Sequence, residues 1–301
     1  MKISVTIPAY KGKFLEEAII SVINQSWQEW ELIIVDDCSP EDLALIVKPY
    51  LSDRRIRYYR NEKNCGVYDV VDNWNICLGY CTGDYVLCMG DDDRLLPCCM
   101  EQCNSVMSKY PDLNVYHTQT QIIDENGNVI EYQEGRPDFE TCEEMLSRQW
   151  KQKGKQYLGD FLFSRQWLIA NGGYVKFPCG LSSDRTTANL AAKEKGIANV
   201  QEVMFEYRDF PSTISRTQDL RTAVSSCNLV YKWYQEHFFD MLTSDFHDYY
   251  VSRISDIICM DVASRPLKET YHWLTSKEKL FINYTQILKS CLRGMVYSVI
   301  H

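Results

Sequence analysis

The run Asp91-Asp92-Asp93 sets three adjacent carboxylates directly after the apolar segment Tyr85-Val86-Leu87-Cys88-Met89 and Gly90. Two unit charges ~4 Å apart repel by about 1 kcal/mol in water and by roughly four times that near a protein surface. A hard divalent cation with oxygen ligands relieves that cost; a solvated acidic turn is the plainer reading of the run by itself. A second acidic pair, Asp36-Asp37, closes the apolar run Leu32-Ile33-Ile34-Val35, and Pro8-Ala9-Tyr10 follows the alternating Ile3, Val5 and Ile7. In an open parallel sheet, ligands bind outside the carboxyl ends of the strands. Three strand-end motifs would therefore converge on one edge, which favours a ligand site over unrelated surface turns. Neither G-x-G-x-x-G nor G-x-x-x-x-G-K-[ST] occurs, so a phosphorylated ligand would need a metal on one or two aspartates in place of a glycine cradle.

Alternating strands and helices must position these groups. Leu15, Ala18, Ile19, Val22 and Ile23 follow helical spacing; Ser39-Pro40-Glu41-Asp42 reads as the capped start of the next helix. Ile56–Tyr59 reads as a third strand, Val67, Val70, Val71, Trp74 and Leu78 as a third helix stripe, and Tyr85–Met89 as a fourth strand. The order implies a parallel sheet with right-handed crossovers. A helix carrying Cys99, Cys103, Val106, Met107 and Tyr110 follows, then a hairpin from Tyr116 to Tyr132 turning at Asn126-Gly127. Arg136 to Lys155 reads as a charged loop beside the cleft, Gly159–Phe163 as a strand, Gly172-Gly173 as a turn, and Asp184 to Lys195 as a helix. Aromatic and aliphatic residues at helical spacing make 217–301 a helical extension.

The chain has 301 residues, enough for one large domain or two smaller ones, with a formal charge of −9. That balance argues against nucleic acid or an anionic membrane as the main partner. Thirteen cysteines without any C-x-x-C, and an N-terminus with no signal-peptide h-region, point to free thiols in a reducing cytosol. No window approaches the 18 or so uninterrupted apolar residues of a membrane span. His117, His237, His247 and His272 have no ligand-like partners nearby in sequence, so packing or surface roles are expected of them.

Several strings resemble family 2 glycosyltransferases, nucleotide-sugar-dependent enzymes of the GT-A fold. They are Val5-Thr6-Ile7-Pro8-Ala9-Tyr10, Ile33-Ile34-Val35-Asp36-Asp37-Cys38-Ser39, the stretch Asn61 to Gly66, and Thr82-Gly83-Asp84-Tyr85-Val86 ahead of the acidic run. Gly172-Gly173-Tyr174, Gly180-Leu181-Ser182-Ser183-Asp184, and Tyr207-Arg208 with Ser212-Thr213-Ile214-Ser215 are similar to acceptor-side motifs of that family. The resemblance implies an α/β fold with a GT-A-type, Rossmann-like, mostly parallel sheet over 1–216. A nucleotide-sugar half would cover about 1–110 and an acceptor half about 111–216, with the helical extension after them.

It also implies roles. Pro8, Ala9 and Tyr10 would line the base and ribose pocket, Asp36 or Asp37 would accept from the base, and Asn64 and Gly66 would border the nucleotide. Asp91 would face ribose or metal, Asp92 and Asp93 would lie nearest a Mn2+ or Mg2+ ion on the diphosphate, and Asp184 would be the general base. Arg208 either forms a structural ion pair or reaches the diphosphate. The chain departs from the family where Gly90 replaces a frequent Asp, where Asn73-Trp74-Asn75 replaces an Arg-Asn pair, and where Ser183 replaces a second acid. The expected activity is inverting transfer from a nucleotide-diphosphate sugar, a UDP-sugar first, to a hydroxyl of a glycan or lipid-linked acceptor in surface-polysaccharide assembly. It would take place in the cytoplasm or at the inner membrane face, where the aromatic C-terminal helices are the candidate for docking near a lipid-linked acceptor. A nucleotidyltransferase on a similar sheet and a non-catalytic sugar-nucleotide binder are the alternatives.

Overall fold

The structure is a computed structural model that describes residues 1–151, 155–211, 213, 219–264, 274, 280–282 and 286–293. Its strands are β1 (Ile3–Ala9), β2 (Trp30–Asp36), β3 (Ile56–Arg60), β4 (Tyr85–Cys88), β5 (Arg94–Leu95), β6 (Val115–Ile123), β7 (Val129–Tyr132), β8 (Phe139–Glu140), β9 (Phe161–Ser164) and β10 (Ile197–Arg208). Its helices are α1 (Leu15–Ile23), α2 (Leu43–Val47), α3 (Val70–Tyr80), α4 (Cys99–Lys109), α5 (Cys142–Trp150), α6 (Arg165–Ala170), α7 (Ser183–Ala192), α8 (Leu220–His237) and α9 (Ser244–Ser264). One sheet runs in the order β3-β2-β1-β4-β9-β6-β10-β5, with β7 on β6 and β8 on β10. The strands β3-β2-β1-β4 are parallel; beyond β4 the sheet is mixed, because β9 runs antiparallel to both β4 and β6.

Strand alternation builds the layers. Leu32 and Ile34 of β2 join the core under α1 and α4, whereas Ile33 and Val35 join the one under α3 and α7. Burial on both faces is why these strands read as continuous apolar runs. Pro8 does not end β1. It pairs with Val35, and β1's partnership with β4 stops at Thr6, so its missing N–H leaves no gap in a ladder.

Three expectations are corrected. Helix α2 begins at Leu43 with Asp42 before it, while Ser39 shapes a turn, its Oγ accepting from the Glu41 N–H at 3.1 Å. Val67 lies outside α3 and is exposed. The stretch from Arg136 to Lys155 is not merely a loop, since it holds β8 and α5. Helix α5 is nucleated by a reciprocal capping box between Thr141 and Glu144.

From residue 219 the described chain is helical apart from short connections. Tyr234, Phe246 and Tyr250 bury against Leu146 and Trp150 of α5 and against Phe177, so α8 and α9 share a core with α5 and the segment before α7. The residues around the expected boundary at 216–217, Ser212, Ile214 and Ser215 of the last motif, and His272 lie outside the described residues. No helix among the described residues is long and apolar enough to cross a membrane.

Candidate active site

A cleft of about 670 Å³ opens at the carboxyl ends of β1, β2 and β4. Pro8, Tyr10, Asp37, Asn64, Gly66, Asp91, Asp92, Asp93 and Asp184 all line it; Ala9, Asp36 and Arg208 do not. Ala9 is fully buried in the core under α1. Asp36 ends β2 beneath the cleft, where its carboxylate accepts from the Tyr58 hydroxyl at 2.6 Å, the Ser39 N–H at 2.7 Å and the Arg60 guanidinium. Asp37, one residue on, is the member of the pair that faces the cleft. Asn61 Nδ2 at 2.8 Å and the Cys65 N–H at 2.9 Å donate to Asp37 Oδ1, and Asn64 Nδ2 donates to the Asp37 carbonyl at 2.5 Å. This network holds the loop through Gly66, whose φ of +78° suits a residue without Cβ.

The three aspartates of the acidic run diverge. Asp91 Oδ2 accepts from the N–H groups of Tyr10 at 2.6 Å and Lys11 at 2.7 Å, tying the run to the end of β1. Asp93 turns the other way, accepting from the N–H of Gly90 at 3.2 Å and of Arg208 at 3.0 Å. The Asp92 carboxylate receives no hydrogen bond from another residue among those described, and it lines the cleft. Burial, reinforced by the charge of Asp91, pushes the Asp92 carboxyl up to about 7. Burial also raises Asp91, and it raises Asp93 well above the usual range with Asp92 adding to the effect. Glycine at position 90 belongs to this packing: a Cβ there would stand 2.7 Å from Asp92 Oδ1 and 2.9 Å from Asp93 Oδ2. No cluster of three His, Cys, Asp or Glu side chains able to hold a metal occurs among the described residues. One free carboxylate with room beside it is what a cation shared with a ligand's phosphates requires, since Mg2+ takes one or two carboxylates and keeps its other ligands from substrate and water.

Arg208 is 1% exposed and underlies this loop. Its Nε donates to the Asp92 carbonyl at 2.8 Å, Nη1 to the Glu125 carbonyl at 3.1 Å and Nη2 to Glu17 at 2.7 Å, while the guanidinium lies 4.0 Å from the Phe14 ring centroid. Of the two roles left open for it, the geometry matches the structural ion pair.

Asp184 sits in the first turn of α7 and lines the same cleft. Its Oδ1 accepts the Arg185 N–H at 2.7 Å. Burial raises its pKa against the lowering pull of the Arg185 and Arg253 guanidiniums. The loop before it is strained: Cys179 (φ 58°), Gly180 (φ 68°) and Ser182 (φ 65°) are all left-handed. Such non-glycine residues cost about 1–3 kcal/mol each and gather where a site dictates the backbone. The motif around Gly180 thus aims Asp184 into the cleft. Trp74, a member of the third helix stripe, is buried in the core and also lines the cleft while packing edge-on against Tyr174.

Sequence reading named no role for Gln156, Arg185 or Arg253, which also line the cleft. Gln156 follows the stretch read as a loop, Arg185 is hidden beside Asp184, and Arg253 comes from α9 within the extension. Nothing in their local pattern marks them.

Residues 4–172, more than half of the chain, match the family described as Glycosyl transferase family 2. The chain belongs to that family. It is 31% identical over 130 residues to a chondroitin synthase of Escherichia coli, covering 42% of this chain and 18% of that protein. It is 30% identical over 132 residues to the uncharacterized glycosyltransferase MJ1057 of Methanocaldococcus jannaschii, covering 42% and 44%. The matches thus span less than half of these curated relatives. The fold is that of S. aureus TarS 1–349, whose crystal structure in complex with UDP-GlcNAc aligns with a TM-score of 0.67 at 15% identity, over 100% of this chain and 93% of that one.

Proposed function

We propose that this family 2 member is an inverting glycosyltransferase that moves a sugar from a nucleotide-diphosphate sugar, a UDP-sugar first, to a hydroxyl of a glycan or lipid-linked acceptor in surface-polysaccharide assembly at the cytoplasmic membrane face. The observation that carries this reading is one cleft lined together by Asp37, Asn64, the unclaimed Asp92 carboxylate and Asp184. The UDP-GlcNAc complex of the TarS fold supports a UDP-sugar donor.

Asp37, Asn64, Pro8 and Tyr10 would hold the base and ribose, and Asp92 would hold a Mn2+ or Mg2+ ion. When bound, that ion supplies Lewis-acid stabilisation of charge on the departing diphosphate. Asp93 and Asp91, engaged by backbone N–H groups, would keep the loop in place. Asp184 would take the proton of the acceptor hydroxyl as its oxygen bonds to the anomeric carbon. The carbon–oxygen bond to the diphosphate breaks, and its electron pair leaves with the nucleotide. Without an enzymic nucleophile in that sequence of events, direct displacement inverts the anomeric carbon.

The test is nucleotide release from UDP-, GDP- and dTDP-sugars with Mn2+ or Mg2+ and with EDTA. Asp184→Asn should lower transfer by about 10²–10⁴-fold, the usual worth of a general base, with UDP affinity intact. Because the acid must be ionised to act, wild-type kcat should fall as pH drops through a pKa above that of ordinary aspartate. Unchanged transfer in the variant removes Asp184 from the mechanism; failure to bind any nucleotide diphosphate ends the reading.

A further inference from the structure

A second cavity, of about 570 Å³, adjoins the cleft and shares Gln156, Tyr157, Arg185 and Arg253 with it. It has none of the nucleotide-end residues Asp37, Asn64 or Asp92 among its walls, so it extends the site from the Asp184 side. Its chemistry is unusual in two respects.

First, Gln156 is 9% exposed, and neither its amide oxygen nor its amide nitrogen has a hydrogen-bond partner among the described residues. Buried amides are nearly always paired, so an unpaired one in the wall of a cavity marks a place where a ligand completes the pairing. Second, the cations here outnumber the acids free to answer them. Of the acids lining this cavity, Glu131 is paired with Lys155 at 2.5 Å and Asp256 with Arg293, which leaves Glu134. Arg185 donates through Nη1 to the Tyr249 hydroxyl at 2.8 Å, and its buried Nε has no partner among the described residues. Asp184 accepts only the backbone N–H of Arg185 and forms no ion pair with either guanidinium among the described residues. The field is felt locally: burial would raise the Tyr249 phenol, yet Arg185 and Arg253 outweigh it and bring its pKa down. Two guanidiniums and a free amide donor around one cavity match the planar geometry of carboxylate and phosphate oxygens.

We propose that this second cavity is the acceptor subsite and that it selects an acceptor bearing an oxyanion, a carboxylate or a phosphodiester, close to the hydroxyl that receives the sugar. The inference rests on the glycosyltransferase reading and adds the acceptor's chemical class.

Calorimetry on full-length protein saturated with UDP tests it, with inorganic phosphate, glucuronate and glucose as probes. UDP fills the diphosphate position, so a bound anion reports the second cavity. One or both anions should bind in the millimolar range and glucose should not; tighter phosphate assigns a phosphorylated acceptor and tighter glucuronate a uronic acid. Arg253→Gln, at an exposed position, and Gln156→Leu should each weaken the anion by about tenfold, the loss expected for one charge-assisted contact. Gln156→Leu should also leave the melting temperature unchanged or higher, because its amide has no partner to lose. Glucose binding as well as the anions, or anion affinity unchanged in both variants, overturns the proposal. So does a loss of UDP affinity in Arg253→Gln, which would put that guanidinium on the donor diphosphate. If wild-type protein binds none of UDP, GDP and dTDP, the glycosyltransferase reading itself falls.

Discussion

Replacing Asp92 by asparagine should make the unliganded protein more stable at neutral pH while disabling it. The Asp92 carboxyl is pushed from 3.8 to about 7, first by burial and then by Asp91. A folded-state pKa raised above the unfolded one means that the folded protein holds the extra proton between those values. Stability therefore falls as pH rises through the window, and the full cost is present above it. At 1.36 kcal/mol per unit, a shift from 3.8 to about 7 corresponds to about 4 kcal/mol. Water entry and relaxation shrink such penalties, so about 2–4 kcal/mol is expected. Asparagine keeps the shape without the charge and also relieves Asp91 and Asp93. Urea unfolding of wild type and Asp92→Asn near pH 5 and pH 8 measures the difference. The variant's advantage should grow by about 2 kcal/mol between the two pH values, and Mn2+ with UDP should stabilise only the wild type. A variant that is less stable at pH 8, or whose advantage ignores pH, would refute the claim that this carboxylate is held at a folding cost.

Two further outcomes follow from groups outside the cleft. Burial pushes the Glu31 carboxyl up, but hydrogen bonds from Lys2, Ser4 and Thr82 outweigh it and hold it down at about 2. Glu31→Gln should therefore cost about 1–3 kcal/mol at pH 7, and the loss should fade as acid takes the wild type from 4.5 towards 2; a loss equal at both ends of that range in urea titrations would exclude the ionic contribution. Whereas the half-exposed Glu17 keeps Arg94 at 3.1 Å, Arg208→Met would strand the carbonyls of Asp92 and Glu125, costing about 1–3 kcal/mol as buried polar groups left unsatisfied do. It should also raise the donor KM through the Asp92 loop, and an unchanged KM in a folded variant would deny Arg208 its positioning role.

The strand-helix alternation of the first hundred residues was readable because burial on both faces leaves apolar runs and amphipathic helices leave a 3.6-residue stripe. The convergence of Pro8, Asp37 and the acidic run on one edge was readable for a related reason: parallel strands all end on the same side. Helix α5 was legible in Thr141 and Glu144, a capping pair whose meaning a charged, glutamine-rich context concealed. Strand β10 carries the longest ladder to β6, yet Ile197–Arg208 mixes exposed and buried residues without clean alternation.

What the sequence determined by itself was the strand–helix alternation of the first hundred residues, the strand-end position of the acids and the family to which they belong. Tertiary structure decided which acids are engaged and which is left free. Asp36 and Asp37 differ by one residue, but the strand pleat sends Asp36 under the cleft to Tyr58 and Arg60, whereas Asp37 faces it. Asp91 and Asp93 are claimed by N–H groups 81 and 115 residues away along the chain, at Tyr10 and Arg208. Asp92 is left unclaimed between them. Local pattern records periodicity and burial; it holds no record of distant donors, and those donors choose the carboxylate that stays free for a ligand.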